Sequence, residues 1–339
     1  MTEAPDQGRC NLHGLPVRVE NLCAALAPWI DRFCEPFADT GSVGGVIAAC
    51  GIVKPYDGPE VLRNVTASAS AVARVDDLAE LFCADERFWL VDERWGMCQI
   101  NLLKRQWRAW LLPSPSVDLF RQLEGTVLWP LGQLLKMRGL ELIPAVSIQK
   151  EDWGALILCP WDLEPEIQRL EVDGYRVVAR DWSILRARGN GVELLGMPAL
   201  RAAISARRSS ESGLLDRAAQ ARLGAGVECQ AVFVVEPGRR AVTRGRTLSV
   251  ADAPAAVRRA WPLVELPPDR RRAGSCAGIL ARQSRCVSVQ LSKQEADFVY
   301  LVESARRRSS AGKKVYVAIS PGVRRASQAV KSIRPVALS

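Results

Sequence analysis

Apolar positions recur along this chain with two different periods, and the switch between them outlines the elements. Val19, Leu22, Leu26 and Ile30 sit at helical spacing, which predicts a helix over residues 17–33 that Pro28 kinks or divides. Val72, Val75, Leu78 and Leu81 predict another over 61–83, beyond a small, glycine-rich loop at 40–51. From residue 87 the period shortens to two. Three runs rich in aromatic and β-branched residues, 87–92, 97–103 and 106–112, predict an antiparallel meander turning at Glu93-Arg94-Trp95-Gly96 and Lys104-Arg105. Pro113-Ser114-Pro115-Ser116 then reads as a linker.

Helical spacing returns over 117–139, where Leu119, Leu123, Val127, Leu131, Leu134 and Leu135 form a stripe, bent at Pro130 and capped at Gly139. A strand over 142–148 leads into the stretch that organises the second half. There a buried strand at 155–159 is followed by a loop, a helix ending at Gly174, a strand at 175–179, and a hairpin whose turn is Arg188-Gly189-Asn190-Gly191. Further along, the pattern predicts a helix at 199–206, a loop at 207–213 and a strand at 227–235 turning at Glu236-Pro237-Gly238. A helix start follows, marked by Ser249 and Asp252, then strands at 286–291 and 314–319. The fold class expected is α/β, α+β overall. A helical domain with a small antiparallel sheet spans 1–113, an α/β domain of nucleotide-binding type spans 117–292, and a basic segment spans 293–339.

Strand, loop, helix and strand, with a carboxylate after the second strand, is the layout of a nucleotide-phosphate site. Gly174-Tyr175-Arg176-Val177-Val178-Ala179 with Asp181 resembles the Gly-aromatic-x-apolar-apolar-x-Asp-Asp pattern of the HPr kinase/phosphorylase-related proteins, which fold like phosphoenolpyruvate carboxykinases and phosphorylate serine. Residues 124–142, 227–235 and 248–253 resemble flanking elements of that family, so the likeness covers roughly 120–292. It implies that Asp181 serves as base or magnesium ligand and that ATP is the cofactor.

The loop departs from that pattern. Where the family carries glycines, a lysine and a serine, this chain reads Cys159-Pro160-Trp161-Asp162-Leu163-Glu164. Backbone N–H groups reach phosphates through glycines, and a lysine meets the β/γ charge. Asp162, Glu164 and Glu166 would instead repel a triphosphate, by roughly 4 kcal/mol for each pair of charges about 4 Å apart at an effective dielectric of about 20. The same acids, with Pro165, suit the first turn of a helix. The expectation is therefore a non-catalytic accessory or scaffold protein that holds a protein partner and needs no cofactor. The alternative is an ATP-dependent kinase in which Lys150 replaces the missing lysine and Asp181 acts with magnesium. Arg180 is expected to neutralise Asp181 by an ion pair.

Composition narrows the choice. The longest apolar run, at 43–53, is too short to span a bilayer, and the N-terminus has no basic leader. Ten scattered cysteines and a single histidine, His13, match no zinc spacing and point to a reducing cytoplasm. The net charge of +9 sits mostly in residues 301–339, which hold nine Lys/Arg and one acid, Glu303. That basic tail is a third candidate, for nucleic acid. Trp89, Trp95, Trp107 and Trp110 among arginines could pack in the core, stack bases, or, with Trp161, face a protein partner.

Overall fold

The computed structural model describes residues 6–24, 26–37, 49–55, 69–76, 79–84, 87–92, 94–112, 119–159, 163–197, 226–239, 243–260, 266, 276–292, 295–309 and 317–318. Strands dominate both halves.

The first sheet has eight strands: β1 (Asp6–Leu12), β2 (Leu15–Asn21), β3 (Ala49–Pro55), β4 (Ser70–Asp76), β5 (Ala79–Ala84), β6 (Arg87–Asp92), β7 (Gly96–Asn101) and β8 (Gln106–Leu111). Their order is β1-β2-β3-β8-β7-β6-β5-β4. β2, β3 and β8 run parallel, and the other pairs are antiparallel. Alternation turns Val17, Val19, Val53, Leu90, Cys98, Ile100, Trp107 and Ala109 to one face. That face packs against α1 (Ala27–Cys34) and a helical stretch made of α2 (Leu119–Leu123), a π-turn (Glu124–Leu128) and α3 (Trp129–Lys136). Trp107 locks the layer, because its Nε1 donates to the Thr126 carbonyl at 2.9 Å. Its ring lies where a Cβ on Gly51 would come within 2.0 Å, so only glycine fits there.

The expected meander is present as β6, β7 and β8, paired antiparallel. Among the described residues, the helical expectation for the first 84 holds only in α1 and a short 3₁₀ turn after it. Residues 15–34 divide into β2 and α1, because Val17 and Val19 alternate as strand residues before the helical spacing begins. Pro28 lies in the first turn of α1, where its missing N–H costs little, so it starts a helix and kinks nothing. Residues 70–84 are the hairpin β4–β5, in which Leu81 meets Leu90 across to β6. Residues 56–68, which carry the start of that expected helix, lie outside the described ones, as does the linker at 113–116. Pro130 again opens a helix, α3, directly after the π-turn. The stretch 119–136, assigned to the second domain by the sequence, contributes its apolar face to the first sheet's core.

The second sheet contains β9 (Leu140–Ile143), β10 (Val146–Lys150), β11 (Trp153–Leu158), β12 (Arg176–Ala179), β13 (Ser183–Arg188), β14 (Gly191–Leu195), β15 (Val227–Arg239), β16 (Arg244–Thr247), β17 (Arg285–Leu291) and β18 (Val317–Ala318). β11, β15 and β17 are parallel neighbours, while β10 lies antiparallel to both β11 and β12. β12 therefore points the same way as β11. One face is covered by α4 (Glu164–Val172) and α7 (Glu295–Ser309), packed on Ile148, Ile157, Phe233 and Val289. The other carries α5 (Ala253–Ala260) and α6 (Cys276–Gln283), packed on Leu156, Val232 and Cys286.

The start of α5 has the expected reciprocal cap. Ser249 Oγ accepts from the Asp252 N–H at 3.1 Å and donates to Asp252 Oδ2 at 2.7 Å. Residues 236–238 belong to β15, which runs to Arg239, and form a bulge opposite β17 between Val235 and Arg239 rather than a turn. The basic segment at 293–339 contains helix α7 over its first part, including Arg306, Arg307 and Arg308 of the expected tail. The helix expected at 199–206 and the loop at 207–213 lie outside the described residues.

Candidate functional site

In a sheet of parallel strands, ligands bind outside the carboxyl ends. Here those ends belong to β11, β12, β15 and β17, and Cys159, which follows β11, and Asp181, which follows β12, lie along that edge. Leu163 closes the loop as the residue before α4, and Glu164 and Glu166 fill the helix's first turn beside its first-turn proline. Pro160, Trp161 and Asp162 are outside the described residues.

Arg180, at the end of β12, reaches across this edge. It donates from Nη1 to both carboxylate oxygens of Glu164, at 2.8 and 2.9 Å, and from Nη2 to Glu171 at 2.5 Å. Glu164 and Glu171 are seven residues apart, two turns of α4, so one guanidinium clasps a single face of the helix. Burial disfavours the charged guanidinium, but Glu171 and Glu164 outweigh it and raise the Arg180 pKa above the ordinary arginine value. The expected pairing of Arg180 with Asp181 gives way to this clasp. Asp181 itself is half-buried, and its main-chain carbonyl accepts from the Ala145 N–H at 3.2 Å.

Lys150 lies at the opposite end of β11 from Cys159. In the antiparallel hairpin β10–β11 it faces Trp153, the first residue of β11, whereas the loop follows Leu158, the last. Six residues at about 3.3 Å each put it roughly 20 Å away, at the amino edge. There its Nζ donates to the Asp173 carbonyl at 3.0 Å, lies 4.6 Å from the Tyr175 ring centroid and stands 3.5 Å from Glu303.

That amino edge holds a network the sequence did not reveal. Tyr175 donates to Glu303 Oε2 at 2.6 Å; Arg306 bonds both Glu303 (3.0 Å) and Glu151 (2.9 Å), and Arg307 bonds Glu303 (3.1 Å). The Arg306 hydrogen bond, helped by Tyr175 and Arg307, holds the Glu303 carboxyl down to about 2 against the cost of burial. The signal was present in Phe298, Leu301, Val302 and Ala305 at helical spacing, masked by the three arginines that follow. A second cluster joins Glu236 on β15 to Ser288 and Gln290 on β17. Gln290 Nε2 donates to Glu236 Oε2 at 2.7 Å, and the Ser288 hydroxyl donates to Oε1. Period two along both strands places these three on one face, which assigning Glu236 to a turn concealed.

The tryptophans separate by face. Trp95 and Trp107 are core residues, 4% and 1% exposed. Trp110 lies on the opposite face yet is only 7% exposed, with Trp89 stacked on it at 6.0 Å and 21° and Lys54 Nζ 5.7 Å from its ring. Only Trp89 of the four keeps part of its surface open. An exposed cluster of four is therefore corrected to one half-buried ring, because strand alternation turns Trp107 onto the helices and Trp95, in the β6–β7 turn, packs against Gly125 of the π-turn. All ten cysteines are free thiols, and burial pushes Cys286 up to about 11. Among the described residues, no three His, Cys, Asp or Glu side chains converge to hold a metal, and no helix is long and apolar enough to cross a membrane.

What these edges do must be read from their own chemistry: no protein-family model matches this chain, and no curated protein matches it.

Proposed function

We propose that the protein is a non-catalytic scaffold on an HPr-kinase-related fold that acts by binding other macromolecules and transfers no phosphate. The observation that carries this is the Arg180 clasp. A phosphate loop offers positive charge and free N–H groups at the first turn of its helix. In this chain that turn carries Glu164 and Glu166, and Arg180, which reaches it, is already held by Glu164 and Glu171. Lys150 is committed to the other edge. ATP with magnesium does not fit these residues. Ten free thiols fit a reducing compartment, and the cytoplasm is the proposed location.

The rival, an ATP-dependent serine kinase using Asp181, draws on that residue's place at the carboxyl edge of the second sheet, beyond β12. Calorimetric titration with MgATP decides between them, with Asp181→Ala as control. No heat and no thermal stabilisation are expected. Binding tighter than about 100 μM, or roughly 5.5 kcal/mol, that disappears in the control would establish the kinase.

A further inference from the structure

The face of the first sheet that points away from its helices carries an ordered row of cations. The strand registers place Arg87, Asn101, Gln106, Cys50, Arg18 and Arg9 side by side across β6, β7, β8, β3, β2 and β1. The next row up contains Trp89, Gln99, Arg108, Ile52 and, at its end, the one acid Glu20. With strands about 4.8 Å apart, five gaps stretch the first row over about 24 Å. Arg9, Arg87, Gln106 and Arg108 are exposed, and Arg18, Gln99, Asn101 and Trp89 are half-buried. Phe82 continues the second row beyond Trp89 and is buried; in the row above, Met97 and Trp110 are buried between half-buried Val91 and Lys54, with Glu80 exposed at the far end.

Among the described residues, none of these four arginine side chains has an ion pair or hydrogen bond, and the Nε of Arg18 is a buried donor without an acceptor there. Four like charges on one face repel one another, and a buried donor without a partner is unfavourable. Both are relieved by a polyanion laid along the row. The remaining groups select its kind. Side-chain amides at Gln99, Asn101 and Gln106 can donate to and accept from unpaired base edges. Trp89, backed by Trp110, offers a ring for one base to stack on. An acidic peptide would satisfy the arginines but would leave the ring and amides unused.

We infer that this face binds single-stranded nucleic acid, with Arg9, Arg18, Arg87 and Arg108 on the phosphates and Trp89 under a base. The inference names a partner for the binding scaffold proposed above, and its test is separate: MgATP reads the second sheet, and an oligonucleotide reads the first.

The experiment is fluorescence anisotropy of a labelled oligothymidylate of about twelve nucleotides with the full chain at about 50 mM salt. Wild type is expected to bind. The double variant Arg87→Gln/Arg108→Gln should bind at least tenfold more weakly and lower the slope of log affinity against log salt by about 1.4, or about 0.7 per lost phosphate contact. Trp89→Ala should weaken binding about fivefold or more, while Arg307→Gln, on α7, should change nothing. Melting curves confirm that each variant is folded. Absence of binding by wild type overturns the inference. So does binding that the double variant leaves intact, which would place the contact elsewhere, or equal affinity of Trp89→Ala and wild type. Arginine-dependent binding of polyglutamate or anionic vesicles without binding of the oligonucleotide overturns it too, the vesicles because Leu103 stands 71% exposed beside Lys104 in the β7–β8 turn.

Discussion

Among the described residues, Arg9, Arg18, Arg87 and Arg108 on the outward face of the first sheet stand without a carboxylate, while around α4 and α7 of the second sheet Arg180, Arg306 and Arg307 each hold one or two. The two regions are both rich in arginine, and the sequence located the excess charge in the region that contains α7. Pairing reverses that reading for the described residues. Charge that is matched internally fixes helices in place, whereas unmatched charge is left to act on something outside the molecule. Counting charge along a chain cannot distinguish the two. What decides it is which side chains a strand register or a helix face brings within reach.

The contrast can be broken or sharpened by substitution. The largest effect is expected beneath the unmatched face. Trp107→Ala removes a fully buried ring and its hydrogen bond to Thr126, and should cost about 3–5 kcal/mol in chemical denaturation. Next comes the matched region. Glu303→Ala releases Tyr175, Lys150, Arg306 and Arg307 together, and should cost about 1–2 kcal/mol once solvent screening is allowed for. Proteolysis at α7 should accelerate with it.

Acidity should separate the regions as well. The folded-state pKa of Glu303, about 2, lies below that of an unfolded glutamate, so its contribution is complete above about pH 4.5 and is lost as pH falls towards 2. Glu303→Gln should flatten the acid limb of the stability curve in that window. His13 acts at milder pH. Its ring nitrogen meets the Gly196 carbonyl at 2.8 Å and its ring stands edge-on to Phe37. Burial lowers its pKa from the ordinary 6.5, with Arg186 adding to the effect and Gly196 and Glu193 opposing it. Stability should therefore decline as pH drops below about 6.5, and His13→Gln should remove that part of the slope. The smallest effect is expected at Arg108→Gln, within about 0.5 kcal/mol of wild type by thermal melting, because no internal contact is lost.

Legibility followed the same divide. The meander β6–β8, the order β11–loop–α4–β12 and the cap at Ser249 were readable, because each depends on neighbours a few residues apart. The sheet at the N-terminus was not. Val17 and Val19 form a strand through parallel pairing with residues 49–51, more than 30 positions away, and continue into a helix whose spacing absorbed them. α7 was hidden by its own arginines. The clasp of Arg180 on Glu164 and Glu171 was out of reach because Asp181 was the obvious nearer partner in sequence. The emptiness around Arg18 was equally invisible, since an absent partner leaves no mark in a pattern of residues.

β15 carries one further consequence, for the order in which the molecule is made. It forms the seam of the second sheet: Val227 and Glu228 pair with β14, and the residues after them pair with β11 on one side and β17 on the other. A ribosome finishes the strands of the first sheet at Leu111 and their helical cover at Lys136, so that half can close early. β11, buried at all six positions, must wait for some seventy more residues before its parallel neighbour is synthesised. During that interval the β10–β11 hairpin presents an apolar edge open to strand pairing with other chains, the situation in which nascent proteins aggregate. Yield of soluble protein should thus respond to translation speed between residues 158 and 232 more than anywhere else in the chain.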